Sequence, residues 1–334
     1  MKKLALLALA LTLPAMAHAK PAATYRVART IAAPGDGGWD YARVDPASRR
    51  LYVARGTTVT VVDIATGKAL PPIGTIAHGH AVVPIRGDRL LVTSGDDASV
   101  RFLAAGDGRE LAQVQVGRKP DAAILSADRR TAYVMNADDG SVSVLDVDAM
   151  RVTRTIAVRP ALEYAALAAD GTLFVNDEDA NDIEVVDVAR GTVATPIALP
   201  GCEAPSGLAL DARTSRLIVA CANGKAAVVD ARTRKLVRLV DVGLGPDAVI
   251  LDAARRRAFV PCGRDGVLDV LSLDGPAVRR VARVRTAVGA RTGALDPATG
   301  TVYLPTASLV PSAAPGGRPT PRPGSFRILV VKAG

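Results

Sequence analysis

Seven short apolar segments recur along this chain at nearly constant spacing. They read RLYVARG (50–56), RLLVTSG (89–95), TAYVMNA (131–137), TLFVNDE (172–178), RLIVACA (216–222), RAFVPCG (257–263) and TVYLPTA (301–307). Their central residues are Val53, Val92, Val134, Val175, Val219, Val260 and Leu304, which are 39, 42, 41, 44, 41 and 44 residues apart. This regularity is typical of a repeat architecture and excludes a fold with one irregular core.

The flanking sequence predicts four short strands in each repeat. An Asp-containing turn such as VDPASRR or LDPATGT precedes the central segment, and a strand such as VTVVDI or VSVLDV follows it. A further strand, such as VTRTIAV or LVRLVDV, closes the unit, with no helical stretch between units. The sequence therefore predicts an all-β, seven-bladed β-propeller with four-stranded antiparallel blades.

The last repeat lacks a fourth strand after FRILVV (326–331). The segment YRVARTIAAPG (25–35) near the start of the chain is similar to the fourth strands of the other repeats. We therefore expect the N-terminal strand to pair into the last blade and close the ring, which would remove two exposed sheet edges.

Residues 1–19 have the features of a cleavable secretory signal peptide: Lys2 and Lys3, an apolar run, and Ala17-His18-Ala19. We expect cleavage after Ala19, a single propeller domain over 20–334 with no transmembrane segment, and a periplasmic or secreted location. Removing Lys2 and Lys3 lowers the formal charge from +9 to +7. Export makes nucleic acid an unsuitable partner for this basic chain, and aromatic residues for stacking on bases are only 3% of the sequence.

The segments LYVARG, LLVTSG and AYVMNA resemble the YVTN repeat. Together with DGGWDYARVDP, GRKPDAAI, CEAPSGLALD, GPDAVILD and GARTGALDP, they resemble the YncE-like branch of exported bacterial YVTN propellers over essentially the whole mature chain. The resemblance implies the propeller fold and no agreed activity. The wider fold includes lactonases and a haem d1 domain, but no Cys-x-x-Cys-His sequence is present, which excludes c-type haem.

Polar residues recur in the loops that join successive blades. These loops share one face of a propeller, called the top face here, with the loops between second and third strands. The candidates for a central ligand-binding funnel on this face are Asp40, Arg55, His80, Asp121, Glu163, Glu203, Asp247 and Arg291. We predict a ligand- or partner-binding module that uses this funnel to take a small molecule or an envelope protein.

Two other interpretations of these residues stay open. Asp121 and Asp247 follow a proline in similar PDA turns, where an aspartate could simply accept backbone N–H bonds. Alternatively, Glu163, Glu203, Asp247 and His80 could hold a divalent cation and support a metal-dependent lactonase-like hydrolase. His78 and His80 are the only histidines of the mature chain, and no Gly-x-Ser-x-Gly elbow is present.

The chain has three cysteines, and we expect it to enter an oxidising compartment, where thiols tend to form disulfides. Cys202 and Cys221 are placed at the same end of the fifth repeat, which predicts a disulfide between them and a free Cys262. The rival pairing, Cys221 with Cys262, joins equivalent positions of adjacent blades.

Two surface features complete the sequence prediction. Residues 305–325 form a Pro- and Gly-rich loop in the last blade, which could cap the funnel or stay solvated. Fifteen cations are predicted on the opposite face, where they could solubilise the protein or contact an anionic envelope surface: Arg49, Arg50, Arg89, Arg129, Arg130, Arg216, Arg255, Arg256, Arg257, Lys68, Arg109, Arg151, Arg232, Arg234 and Lys235.

Overall fold

The computed structural model describes residues 24–312, 317 and 319–334. The predicted signal peptide, residues 1–19, lies outside this range. The described residues form strands and connecting loops without a helix, so no helix among them could cross a membrane.

Twenty-eight of the thirty strands form seven antiparallel sheets of four, which confirms the seven-bladed propeller. Blade 1 contains β2 (Trp39–Asp45), β3 (Arg50–Arg55), β4 (Val59–Asp63) and β5 (Lys68–Ile73). Blade 2 contains β6 (Gly79–Ile85), β7 (Arg89–Ser94), β8 (Ser99–Ala104) and β9 (Glu110–Gln115). Blade 3 contains β10 (Pro120–Leu125), β11 (Thr131–Asn136), β12 (Ser141–Asp146) and β13 (Arg151–Ala157). Blade 4 contains β14 (Leu162–Leu167), β15 (Thr172–Asp177), β16 (Asp182–Asp187) and β17 (Thr192–Ala198).

The remaining blades follow the same order along the chain. Blade 5 contains β18 (Pro205–Asp211), β19 (Arg216–Cys221), β20 (Lys225–Asp230) and β21 (Lys235–Asp241). Blade 6 contains β22 (Ile250–Asp252), β23 (Arg257–Cys262), β24 (Val267–Ser272) and β25 (Arg279–Arg285). Blade 7 contains β26 (Ala294–Asp296), β27 (Thr301–Thr306), β30 (Arg327–Ala333) and β1 (Tyr25–Ala32).

The repeated apolar segments are the second strands of the blades. All seven central residues, from Val53 to Leu304, are fully buried. A second strand is buried on both faces because each blade lies between two neighbours; for example, Ile218 and Val228 of blade 5 share a cluster with Val260 and Leu271 of blade 6. The hydrophobic core is therefore a series of layers between blades, which explains the nearly continuous apolar runs in the sequence.

The turns between strands repeat the same side-chain hydrogen bond. The Asp45 carboxylate accepts the backbone N–H groups of Ala47 and Ser48 at 3.2 and 3.3 Å. Asp63 does the same for Ala65 and Thr66 at 2.8 and 3.1 Å. These turns show why aspartate ends so many strands of this chain.

The loop predicted over 305–325 begins later, after β27 ends at Thr306, and contains the short hairpin β28 (Leu309–Val310) and β29 (Thr320–Pro321). Residues 313–316 and 318 lie outside the described range. The Gly324 N–H group donates to the Asp36 carboxylate at 2.7 Å, which ties the end of the loop to the segment between β1 and β2.

The N-terminal strand closes the ring as the sequence predicts. Strand β1 pairs antiparallel with β30, from Tyr25 opposite Ala333 to Ala32 opposite Arg327. Ile31 is the buried residue of β1, and it packs in a cluster that also contains Trp39 and Ile328. The last blade therefore has a fourth strand only when both ends of the chain are in place.

We predict that deleting residues 20–35 removes cooperative unfolding or causes aggregation, because β30 becomes an exposed edge strand. A milder change, Ile31→Ala, should lower stability by about 2–4 kcal/mol in chemical denaturation. Thr30→Ala is the matched control, because Thr30 lies on the same strand and is exposed. A deletion variant that melts like the full chain would contradict the role of β1.

In the structure the sulfur atoms of Cys202 and Cys221 are bonded at 2.11 Å, and Cys262 is a buried free cysteine. The disulfide ties the loop that precedes β18 to the end of β19. Burial, and then the charge of Asp269, raise the pKa of the Cys262 thiol to about 12, so this thiol stays protonated. Cys262 packs in the apolar cluster between blades 5 and 6.

We predict that the double variant Cys202→Ser, Cys221→Ser loses about 3 kcal/mol of stability, since the bridge closes a short loop. A reductant should lower the melting temperature of the wild-type protein but leave that of the double variant unchanged. Non-reducing peptide mapping checks the pairing. Three free thiols, or a Cys221–Cys262 peptide, would contradict it.

Candidate functional site

A β-bulge near the start of the first strands sets the position of the funnel residues. In blades 1 to 5 the first residue of the inner strand pairs with the last residue of the second strand, as Trp39 does with Arg55 and Pro120 with Asn136. The register then shifts over the next two residues. A bulge turns a side chain out of the regular alternation, and here the residue after the first pair faces the central cavity.

One residue from each of these five blades occupies this position, and Asp247 and Arg291 are the residues of blades 6 and 7 that align with it in sequence. We call these seven residues the funnel ring: Asp40, His80, Asp121, Glu163, Ser206, Asp247 and Arg291. All seven line one cavity of about 670 Å³ at the centre of the top face. Six of the eight predicted binding residues therefore meet in one site.

Glu203 does not belong to the ring. It is exposed, lies three residues before Ser206, and does not line the cavity. Ser206 is the equivalent residue of blade 5, because Pro205-Ser206 matches Pro120-Asp121 and Pro246-Asp247 in register. The preceding proline was the sequence feature that could have identified Ser206.

Arg55 also lies outside the cavity, where it is 2% exposed and holds the loop before β2. Its guanidinium donates to the carbonyl groups of residues 35–38 at 2.8–3.2 Å. The same group lies 3.7 Å from the ring centre of Phe326. Arg55 is therefore a structural residue that connects blade 1 to the segment before β30 of blade 7.

Hydrogen bonds between neighbouring blades fix the backbone of the ring. The Thr93 hydroxyl donates to the Asp121 carbonyl at 2.8 Å, and the Thr292 hydroxyl donates to the Asp40 carbonyl at 2.9 Å. Asn176 donates to the Ser206 carbonyl at 2.8 Å. The ring residues are thus held by the junctions between blades, which sequence spacing alone does not describe.

Asp40, His80 and Asp121 form a compact group on one wall of the funnel. The Nδ1 atom of His80 lies 2.9 Å from an Asp40 carboxylate oxygen and 3.8 Å from one of Asp121. Burial lowers the pKa of His80, but the Asp40 hydrogen bond and the charge of Asp121 outweigh it, so the pKa is raised overall. Burial, and then the charge of Asp40, raise the pKa of Asp121 to about 7.

The other charged residues of the ring make a second set of contacts. The Tyr41 hydroxyl donates to Glu163 at 3.2 Å, and Arg291 donates to Asp247 at 2.7 Å. Burial, followed by the charges of Asp121 and Asp247, raises the pKa of Glu163 well above its usual range. Burial also raises the pKa of Asp247, although Arg291 counteracts it.

The carboxylates of Asp121 and Asp247 accept no backbone N–H bond from the described residues. The interpretation of these two residues as turn-forming aspartates therefore does not describe their contacts. Both carboxyl groups face the cavity instead.

The four predicted metal candidates do not come together as one group. Glu203 is outside the cavity, and Asp247 is paired with Arg291. Glu163 contacts Tyr41, and His80 contacts Asp40.

Several predicted surface cations have carboxylate partners. Arg255 lies 3.1 Å from Asp252, Arg256 lies 2.6 Å from Asp211, and Arg257 lies 2.7 Å from Asp274. The charge that this face can offer to an anionic surface is therefore smaller than the fifteen residues suggest.

Solved structures share this fold. A chain of the Kuenenia stuttgartiensis hydrazine synthase matches with a TM-score of 0.72 and 16% identity, over 88% of this chain and 96% of that chain. A chain from the crystal structure of a mitotic checkpoint complex matches with a TM-score of 0.76 and 15% identity, over 98% of each chain. At these identities the similarity shows the propeller fold alone. No family model matches the sequence, and the comparison with curated proteins gives no match.

We predict that Glu163→Gln stabilises the protein at pH 8 and has little effect at pH 5. Folding raises the pKa of Glu163, so the native state keeps a proton that the unfolded chain has released, and stability falls as the pH rises. Glutamine keeps the acceptor for Tyr41 without the charge. The gain at pH 8 should be at least about 2 °C in melting temperature.

Glu203→Gln is the matched control, because Glu203 is exposed and outside the cavity. It should leave the melting temperature unchanged at both pH values. Equal effects of Glu163→Gln at pH 5 and pH 8 would contradict the burial of this carboxyl group.

Proposed function

We propose that this protein is a binding module whose funnel takes a cationic group of a small molecule or of an envelope protein. The observation that carries the proposal is the convergence of four carboxyl groups, those of Asp40, Asp121, Glu163 and Asp247, on one cavity. Among the described residues, only Asp247 of these four has an arginine partner.

A cation fits this arrangement for an electrostatic reason. A buried carboxylate without a partner costs several kcal/mol or keeps a proton, and a bound cation relieves this cost by replacing the proton. The deep part of the funnel is acidic, while the exposed residues of its lining include Lys119, Glu178 and Arg264. A volume of about 670 Å³ is suitable for a small ligand or for one inserted side chain.

We also infer that the chain belongs to the YncE-like branch of YVTN propellers and is exported. The YVTN-like segments coincide with the buried second strands, and a disulfide suits an oxidising compartment. Sequencing the N-terminus of the protein from the envelope fraction tests this, with a mature start near Lys20 expected. A cytoplasmic protein that keeps Met1 would contradict it.

The hydrolase alternative is not favoured by the contacts of the funnel. Glu203 cannot contribute from outside the cavity, and Asp247 is occupied by Arg291. Binding to an anionic envelope surface stays a prediction.

We predict that organic cations raise the melting temperature of the protein more than matched anions do. Spermidine, choline and lysine amide are suitable cationic probes, with citrate and glucose as the anionic and neutral comparisons. The shift in melting temperature should be smaller in Glu163→Gln and unchanged in Glu203→Gln, because Glu163 lines the cavity and Glu203 does not. An equal response to citrate and spermidine, or an unchanged response in Glu163→Gln, would contradict the proposal.

A further inference from the structure

The Asp121 side chain is largely enclosed, and its carboxylate opens onto the funnel without a hydrogen-bond partner among the described residues. Asp121 is 5% exposed, and no hydrogen bond reaches its carboxylate from the described residues. Its ion-pair contact is the Nδ1 atom of His80 at 3.8 Å, which is beyond hydrogen-bond distance. Buried carboxyl groups are normally paired, hydrogen-bonded or bound to a metal, so this side chain requires an explanation.

His80 is equally enclosed. It is 8% exposed, and its Nε2 atom has no hydrogen-bond partner in the described part of the chain. A Cβ atom at Gly95 would lie 2.9 Å from Nε2, so the glycine leaves the space that the imidazole ring occupies. The ring therefore makes its polar contacts through Nδ1, which faces Asp40 and Asp121.

The donor atoms of these residues lie close to the separation that a metal ion requires. One donor each from Asp40, His80 and Asp121 lies within 4.8 Å of the other two. With metal–ligand bonds of about 2.0–2.2 Å, neighbouring donors lie about 3.0–3.4 Å apart. The observed distances of 2.9 and 3.8 Å lie on either side of this interval, so small side-chain movements would complete the site.

We propose that Asp40, His80 and Asp121 bind one divalent transition-metal ion, such as Zn²⁺ or Mn²⁺, on the wall of the funnel that the proposed function uses. One imidazole and two carboxylates favour these ions over Ca²⁺ or Mg²⁺, which prefer oxygen ligands alone. Because all three residues line the cavity, the remaining coordination positions face the funnel and are open to water or a ligand.

A second group of acids shows why proximity alone does not define a site. Asp177, Asp182 and Glu184 also lie within 4.8 Å of one another. Arg159 neutralises this group, with its Nη2 atom 2.6 Å from Asp182 and 3.4 Å from Asp177, and with an ion pair to Glu184. No arginine or lysine forms an ion pair with Asp40 or Asp121 among the described residues.

The experiment uses the untagged mature chain, stripped of metal and titrated with Zn²⁺ and Mn²⁺ by calorimetry. We expect one ion per chain. Removing a residue that only hydrogen-bonds to a metal ligand typically weakens metal binding 10–100-fold. Asp121→Asn and His80→Asn each remove a ligand itself, so each should weaken binding about 100-fold or more. Glu203→Gln is the matched control and should bind as the wild type does, because Glu203 is exposed and lies outside the cavity.

A spectroscopic measurement on the wild-type protein tests the metal site even if the variants fail to fold. Electron spin echo modulation of the Mn²⁺ complex should show coupling to an imidazole nitrogen. The inference is overturned by no binding of either ion at millimolar concentration, by equal binding in folded Asp121→Asn, or by a Mn²⁺ spectrum without nitrogen coupling. If spermidine still stabilises the protein in that case, the metal site alone is wrong and the proposed function stands.

Discussion

Each blade of this protein has two apolar faces, and only the neighbouring blades can cover them. The second strands are buried on both sides, so a single missing or open blade would expose an apolar sheet to water. The ring must therefore close, and the pairing of β1 with β30 provides the closure. Arg55 adds a second connection there, because it holds the loop before β2 and contacts Phe326 before β30.

Closure has a direct consequence for the site. The first strands of the blades meet around the axis, and a bulge near the start of the first five aims one side chain from each at the cavity. Neighbouring blades fix these backbones through bonds such as that from Thr93 to the Asp121 carbonyl. The funnel ring thus depends on the same packing of blade against blade that stabilises the fold.

This packing of blade against blade explains how several carboxyl groups can stay buried close together in the funnel. Burial raises the pKa values of Asp121, Glu163 and Asp247, which means that folding makes these carboxyl groups harder to ionise. Carboxyl groups free to move would turn toward water. The blades hold them in place, and the proposed binding of a positive charge rests on this cost of burial.

The sequence by itself determined the number of blades, the buried second strands, the closing strand and the region of the polar site. These features follow from local alternation and from a repeat period, which neighbouring residues along the chain define. The tertiary structure decided which polar residues meet. Ser206 rather than Glu203 joins the ring because the pairing of Pro205 with Cys221 sets the register. The approach of His80 to Asp40 and Asp121 depends on how three blades pack around the axis, and contacts over 40 residues of sequence leave no trace in a local pattern.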